Sequence, residues 1–405
     1  MNTMAQPLAA APVAAAACPS CGGGAVRTIY AVRSIPLHSC VLLDTPEAAR
    51  SFPRRDLELA FCSDCGFAFN AIFDEPAMAY SENFEESQHF SETFNSFARD
   101  LAAEMAERCD AAGSRIVEIG CGKGEFLIEL CRAAGASGVG IDPSYRADPG
   151  RSPASAGVRF IPERFAAAHH AIPADIVVCR HTLEHIAPVG AFLRDIRAMI
   201  GDREDVRVFF ETPDFARVLR EGAFWDIYYE HCSYFSCGTH ADLFRRSGFA
   251  VDDVRLVYGG QYIVQYARPV EPDPDPLPPA EAAVAEMRAL VDGFEARVRR
   301  TREAWFERID RAHREGRSVV LWGGGSKAVS LVTTLGLGDQ LRAVVDINPY
   351  KQGRFLPGTA HPVIAPERLT DYAPDLVVVM NPLYETEISR QLDALGIRAD
   401  VASLT

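Results

Sequence analysis

Arg115-Ile-Val-Glu-Ile-Gly-Cys-Gly-Lys-Gly124 is the stretch whose reading decides the fold. An apolar run breaks into three alternating glycines, and an apolar helical pattern follows from Glu125 to Ala134. Glycines at such a strand–helix turn let backbone approach a ligand, with a helix N-terminus facing it. The spacing is GxGxG, which is neither the GxGxxG of dinucleotide folds nor the GxxxxGK[ST] of phosphate loops. Outward from it lie further short apolar runs at Val139-Gly-Ile-Asp142, Ile176-Val-Val-Cys179 and Val206–Phe210. Strands alternating with helices predict an α/β domain with a parallel sheet. Asp142 ends the second strand, where an acid can accept hydrogen bonds from ribose hydroxyls.

The same pattern recurs later. Ser318-Val-Val-Leu-Trp-Gly-Gly-Gly-Ser-Lys327, Val344-Val-Asp346 and Leu376–Met380 predict a second Rossmann-like α/β unit. Gly323-Gly-Gly325-Ser-Lys-Ala328 with Asp346 about twenty residues on also satisfies a dinucleotide pattern. Between the two units, Arg268–Ala280 carries six prolines, too many for a helix or central strand, and reads as a linker. Beyond it Val284, Met287, Val291, Phe294, Val298, Trp305 and Ile309 keep helical spacing, predicting one long amphipathic helix over 281–315. Ahead of the first unit, Phe94, Phe97, Leu101 and Met105 predict another helix.

Cys18-Pro-Ser-Cys21 and Cys62-Ser-Asp-Cys65 form two CxxC knuckles. Four thiolates can close a tetrahedron around zinc with no open position, so the expected metal site is structural. A rubredoxin-like iron site is the alternative. From Cys18 to Cys65 five Arg face five acidic residues, so no basic face for nucleic acid is evident. The whole chain agrees: 405 residues hold 41 Lys+Arg against 55 Asp+Glu, a net charge of −14, whereas general nucleic-acid binders are basic. No apolar run approaches the ~20 residues that span a bilayer. Met1–Ala17 is Ala-rich, and the first basic residue is Arg27, so a disordered tail is expected rather than a secretory signal. Eleven scattered cysteines suit a reducing cytoplasm better than a disulfide scaffold. The expected organisation is therefore a tail (1–17), a zinc head (18–75), a first α/β domain (76–267), a linker (268–280), and a long helix with a second Rossmann-like domain (281–405).

The loop and strand-end acid resemble those of class I S-adenosylmethionine-dependent methyltransferases. The resemblance implies that Glu118 supports the loop and the methionine end of the cofactor. It implies a cofactor site of Glu118, Gly120, Cys121, Gly122, Gly124, Asp142, Pro143 and Arg180. The run Arg180-His181-Thr-Leu-Glu184-His185 follows the third strand, and a His-x-Leu-Glu-His run is frequent there in that family. His181 is expected to line the pocket, while Glu184 and His185 cap and pack the next helix.

Asp226-Ile-Tyr228-Tyr-Glu230-His231-Cys-Ser-Tyr-Phe-Ser236 clusters a base, a carboxylate and a phenol, although by composition alone it is also an aromatic core segment. It resembles the Tyr-x-Glu-His-x-Ser-Tyr-Phe-Ser signature of bacterial sugar C-methyltransferases, which act on nucleotide-linked ketosugars. Asp346–Thr359 is similar to that family's Lys-Gln-Gly-x-x-x-Pro-Gly-Thr segment, and the order of knuckles, core and C-terminal unit follows it too. The resemblance implies His231 as base, with Glu230 orienting it, Tyr228 holding an enolate oxygen and His181 nearby. It also implies substrate contacts from Tyr80, Phe84, Lys327, Lys351, Gln352 and Gly353. Two stretches depart from the family: Tyr80–His89 carries Phe84 where a second Tyr is usual, and Tyr258-Gly-Gly-Gln261 stands for His-Gly-Gly-Ser. O- or N-methyl transfer to a small metabolite stays open at this point, as does a non-catalytic binding protein on the same fold.

Overall fold

In this computed structural model, residues 17–78, 83–147, 157–271 and 280–405 are described. Nearly all of the Ala-rich tail, Tyr80 and most of the Pro-rich joint lie outside them. The head is built on β1 (Val26–Pro36), the short helix α1 (Pro46–Arg50), β2 (Arg54–Cys62) and β3 (Ala68–Asn70). β1 and β2 pair antiparallel, and Leu57, Leu59 and Phe61 of β2 are fully buried.

The first α/β unit runs through α2 (Glu92–Arg108), β4 (Arg115–Ile119), α3 (Glu125–Ala134), β5 (Ser137–Ile141), β6 (Val158–Ile161), β7 (Ile176–Arg180), α4 (Val189–Ile200), β8 (Arg207–Pro213), α5 (Phe215–Glu221), β9 (Ser233–Tyr234), α6 (Cys237–Arg246), β10 (Phe249–Val257) and β11 (Tyr262–Pro269). Its seven-stranded sheet has the order β10-β11-β8-β7-β4-β5-β6. β6, β5, β4, β7 and β8 are mutually parallel; β11 runs antiparallel between β8 and β10. All five residues of β7 are buried, as expected for a parallel strand covered on both faces. β9 leaves this unit and pairs with β3. The Tyr-Glu-His stretch thus runs straight into the head's sheet, a junction that motif reading did not anticipate.

After the joint come α7 (Glu281–Val291) and α8 (Phe294–Arg314). The long helix expected over 281–315 is in fact two, broken at Asp292 and Gly293, where Gly293 caps α8. Glycine is the weakest helix former after proline, and the apolar stripe simply continues across the break. The second α/β unit follows: β12 (Val319–Trp322), α9 (Ser326–Leu335), β13 (Ala343–Val345), β14 (Val363–Ile364), β15 (Leu376–Val379), α10 (Glu385–Ala394) and β16 (Asp400–Ser403). Its sheet, β14-β13-β12-β15-β16, is wholly parallel. One apolar core joins Leu57 and Leu59 of the head to Phe224 and Trp225, Phe294 of α8, and Leu331 of α9. The head is therefore packed against both α/β units. No helix among the described residues is long and apolar enough to cross a membrane.

Candidate active site

Strand order changes direction between β4 and β7 in the first sheet and between β12 and β15 in the second. Ligands of open α/β sheets bind at such points, beyond the carboxyl ends of the strands. Here both points open onto one cavity of about 1050 Å³, lined by Gly120, Asp142 and His231 from one unit and by Gly325, Lys327 and Asp346 from the other.

The glycine loop turns sharply. Gly120 sits at φ +74°, where a Cβ would lie 1.8 Å from Thr182 Oγ1, and Gly122 at φ +54°, where it would meet Glu86 Oε1 at 2.7 Å. Only glycine fits there without moving the loop. Asp142 braces it: Oδ2 accepts from Gly122 N at 2.9 Å and Oδ1 from Ser144 N at 2.6 Å. Glu118 is buried on β4, its Oε2 has no hydrogen-bond partner, and burial pushes its carboxyl up to about 8. Cys121, Gly122 and Pro143 line the same wall. Gly124 caps α3. Lys123 is buried and donates to Ser144 O at 2.6 Å; motif reading had given it no role. Arg180 also lines the cavity, but its Nε bonds Glu211 Oε2 at 2.5 Å and its guanidinium lies 3.7 Å from the Phe126 ring centroid.

The strand-end acid of the second unit repeats the brace. Asp346 Oδ2 accepts from Gly324 N at 2.8 Å, and Oδ1 accepts from Asn348 N at 2.8 Å. Lys351 Nζ lies 3.8 Å from Asp346 Oδ2, and Gln352 donates to the Asp346 carbonyl at 2.9 Å. Gly353 turns at φ +77°. Lys327 is paired with Asp226 at 2.7 Å, and Asp226 also takes Arg217 at 2.6 Å. Phe84 is buried, its ring edge-on to His38 at 5.7 Å.

His181 sits at φ +48° between two carboxylates, 3.3 Å from Glu211 Oε1 and 3.6 Å from Glu184 Oε1. Burial disfavours its charge, yet Glu211 and Glu184 outweigh that and lift the imidazole to about 9. That favours the imidazolium at neutral pH and argues for His231 over His181 as the base.

His231 differs. Burial first, then the charges of His185, His181 and Lys327, hold its ring well below the usual imidazole range, which favours the neutral ring. The Tyr228 ring stands 4.2 Å away. Its phenol is pushed well above its ordinary value by burial and by Asp226 and Glu230, so it stays a hydrogen-bond donor. Two expectations need correction. Glu230 does not orient His231: its carboxylate takes His38 Nδ1 at 3.2 Å and the Ser39 hydroxyl, and among the described residues no hydrogen bond joins it to His231. Glu184 and His185 do not cap α4, which starts at Val189 after an uncapped Pro188. They form a short 3₁₀ turn that puts His185 edge-on to His231 at 4.7 Å, with His185 Nδ1 on the Glu230 carbonyl at 3.0 Å. The run around His185 does not reveal this pairing; only the fold brings 185 to 231.

In the head, the Sγ atoms of Cys18, Cys21, Cys62 and Cys65 all lie within 4.8 Å of one another. Cys18–Cys65 and Cys21–Cys62 are each 3.7 Å apart. Bonds of about 2.3 Å in a tetrahedron imply edges of about 3.8 Å, so the four thiols fit a zinc-sized ion.

Residues 89–254 match a family described as a methyltransferase domain, and residues 277–399 match a C-methyltransferase C-terminal domain. C-methyltransferase NovU of Streptomyces niveus is 28% identical over 392 residues, covering 92% of this chain and 90% of that protein. Among solved structures, magnesium protoporphyrin IX methyltransferase of Synechocystis PCC 6803 is 15% identical, with a TM-score of 0.35 over 44% of this chain and 84% of its own. The 1,6-didemethyltoxoflavin-N1-methyltransferase of Burkholderia thailandensis is 16% identical, with a TM-score of 0.34 over 51% and 96%.

Proposed function

We propose that this chain is an S-adenosylmethionine-dependent C-methyltransferase, as its two family matches and its likeness to C-methyltransferase NovU support, and that it methylates carbon alpha to a ketone of a small biosynthetic intermediate, with His231 as the base. The observation that carries the reading is the pairing of the His231 and Tyr228 rings, centroids 4.2 Å apart, in the cavity that the glycine loop also lines. Glu118, Gly120, Cys121, Gly122, Gly124, Asp142, Pro143 and Arg180 would hold the cofactor. Bound there, its sulfonium supplies an electrophilic methyl group and no catalytic metal is required. His231 takes the α-proton, and Tyr228 O–H donates to the enolate oxygen, placing a donor where negative charge develops. A positioned base of this kind is worth about 10²–10⁴ in rate.

A nucleotide-linked ketosugar is the acceptor class we favour. The second unit lines the cavity with Lys327, Lys351 and Asp346, with Gln352 bonded to the Asp346 carbonyl and Gly353 at the next turn, and a double-ended substrate could be anchored there with its ketone at His231. Phe84 would flank it. Zinc would be held by Cys18, Cys21, Cys62 and Cys65 as a closed structural site. No nucleic acid or membrane partner enters this reading, and the reaction suits a cytoplasmic setting. The test is the product formed from ¹³C-methyl cofactor and a thymidine-diphosphate-linked 4-ketosugar. A carbon-bound methyl in the NMR spectrum supports the reading, and an oxygen- or nitrogen-bound methyl refutes it.

A further inference from the structure

Glu230 precedes the proposed base, yet its carboxylate faces away from His231 and is held by two other parts of the molecule. From the head, His38 Nδ1 approaches Oε2 at 3.2 Å, Ser39 N donates to Oε1 at 3.3 Å, and the Ser39 hydroxyl donates to Oε1 as well. From the first turn of α9, Ser326 Oγ stands 3.4 Å from Oε1 and 2.7 Å from Ser39 Oγ. A carboxylate is acceptor-only, so His38 must present Nδ1–H. Glu230 is 2% exposed and His38 6%, and hydrogen bonds to a buried ionised group are the strong ones. Burial opposes ionisation of Glu230, but His38, His185 and Ser39 together keep its carboxyl below the usual range.

The backbone around Glu230 is tied elsewhere. Its carbonyl takes His185 Nδ1 at 3.0 Å, Cys232 N donates to Glu184 O at 2.9 Å, and Ser233 Oγ donates to Ile186 O at 2.7 Å. The turn that carries Tyr228 and His231 is thus tied to the first α/β unit through Glu230 O, Cys232 N and Ser233 Oγ, and to the head through Asn70 N on Cys232 O, the β9–β3 pairing and the Glu230 carboxylate. Removing the head's donors would leave a buried anion short of partners, and any shift of Glu230 toward water pulls on the adjacent His231.

We propose that His38 is a positioning residue for methyl transfer: through Glu230 it fixes the turn that aims His231 into the cavity, which makes the cysteine-rich head part of the catalytic apparatus. The inference rests on the reading of His231 as the group that acts in the site, but it is tested on the ring itself. A loosened turn admits water to His231 and relieves the burial that depresses its titration; the charged and titratable groups near that ring are Glu184, His185, Tyr228, Tyr234, His181 and Lys327.

The full chain, labelled with ¹⁵N-histidine and saturated with S-adenosylhomocysteine, is titrated by NMR, with the His231 ring signals assigned by their loss in His231→Gln. His38→Ala should raise the His231 midpoint by about one pH unit, a tenfold change in protonation, with Ser39→Ala shifting it in the same direction by less. His38→Asn, which keeps a neutral donor near the Nδ1 position, should restore the wild-type midpoint; if loss of a charge were the cause, Asn would behave like Ala. S-adenosylhomocysteine affinity should stay within about twofold in each variant. An unmoved His231 signal in both His38→Ala and Ser39→Ala overturns the proposal, even if the melting temperature falls, because that result means structural support alone. Should His38→Ala not fold, Ser39→Ala and His38→Asn still decide it. Failure of His231 as base would appear instead in acceptor proton exchange, which this measurement does not involve.

Discussion

Replacing Asp142 by Ala removes an acceptor whose two oxygens hold Gly122 N at 2.9 Å and Ser144 N at 2.6 Å. The same carboxylate is the group expected to receive the cofactor's ribose hydroxyls. A hydrogen bond to a charged group is worth about 1.5–3 kcal/mol net, so losing two such contacts costs about 3–6 kcal/mol of binding. That corresponds to a dissociation constant raised by about 10²–10⁴. Ribose contacts are equal in ground and transition states, so turnover at saturating cofactor should change little. Asp142→Asn should be no milder in kind: with both oxygens facing backbone N–H groups, an amide must turn its NH₂ against one of them and leave two donors opposed. The protein carries its own control. Asp346 makes the same pair of backbone contacts in the second unit, so Asp346→Ala inflicts the same local lesion without touching the proposed cofactor site. Calorimetry with S-adenosylhomocysteine should show the large loss for both Asp142 variants and an affinity within about threefold of wild type for Asp346→Ala. Equal losses at the two positions, or an Asp142→Ala protein that binds normally, would refute the assignment.

Metal analysis of protein purified without chelators should find about one zinc per chain, and Cys62→Ser should release it and lower the melting temperature, since structural zinc ligands contribute folding energy directly; intact wild-type protein without zinc would end that claim. The His181 imidazole, lifted to about 9 between Glu211 and Glu184, has a folded value above its unfolded one. Its stabilisation is therefore fully present below about pH 6.5 and lost as pH rises toward 9. Urea melts between pH 6.5 and 9 should show that decline in wild type and a flatter profile in His181→Gln, and parallel profiles would contradict the ion-pair reading.

Much of the scaffold was legible because local signals and fold agreed. Glycines 120, 122 and 124, the acid at 142 and the buried runs of β4, β5 and β7 could hardly serve another architecture, and the two CxxC knuckles bring their four sulfurs together. The second unit declared itself by the same strand, glycines and acid. What stayed hidden was contact between distant segments. Periodicity carried through Asp292-Gly293 and concealed the break between α7 and α8, because an apolar stripe records the face a helix buries and says nothing of a pause in its backbone. Motif position suggested that Glu230 serves its neighbour His231, whereas its partners lie 191 and 192 residues away in the head. His185 and Lys123 joined the site unannounced for the same reason, since a side chain's partner is fixed by how strands cross and not by its place in a run. Asp346 and its loop repeat the cofactor-side brace, but that likeness appeared only once hydrogen bonds could be compared.

The central claim, that His231 removes a proton from carbon, is tested most directly by exchange in D₂O. A thymidine-diphosphate-linked 4-ketosugar is incubated with protein and S-adenosylhomocysteine, so that no methyl transfer can occur, and loss of the α-proton signal is followed by NMR. Wild type should exchange that proton. His231→Ala should exchange it at least about 10²-fold more slowly, with S-adenosylhomocysteine affinity and folded fraction unchanged. A folded His231→Ala protein that exchanges the proton at the wild-type rate would contradict the account.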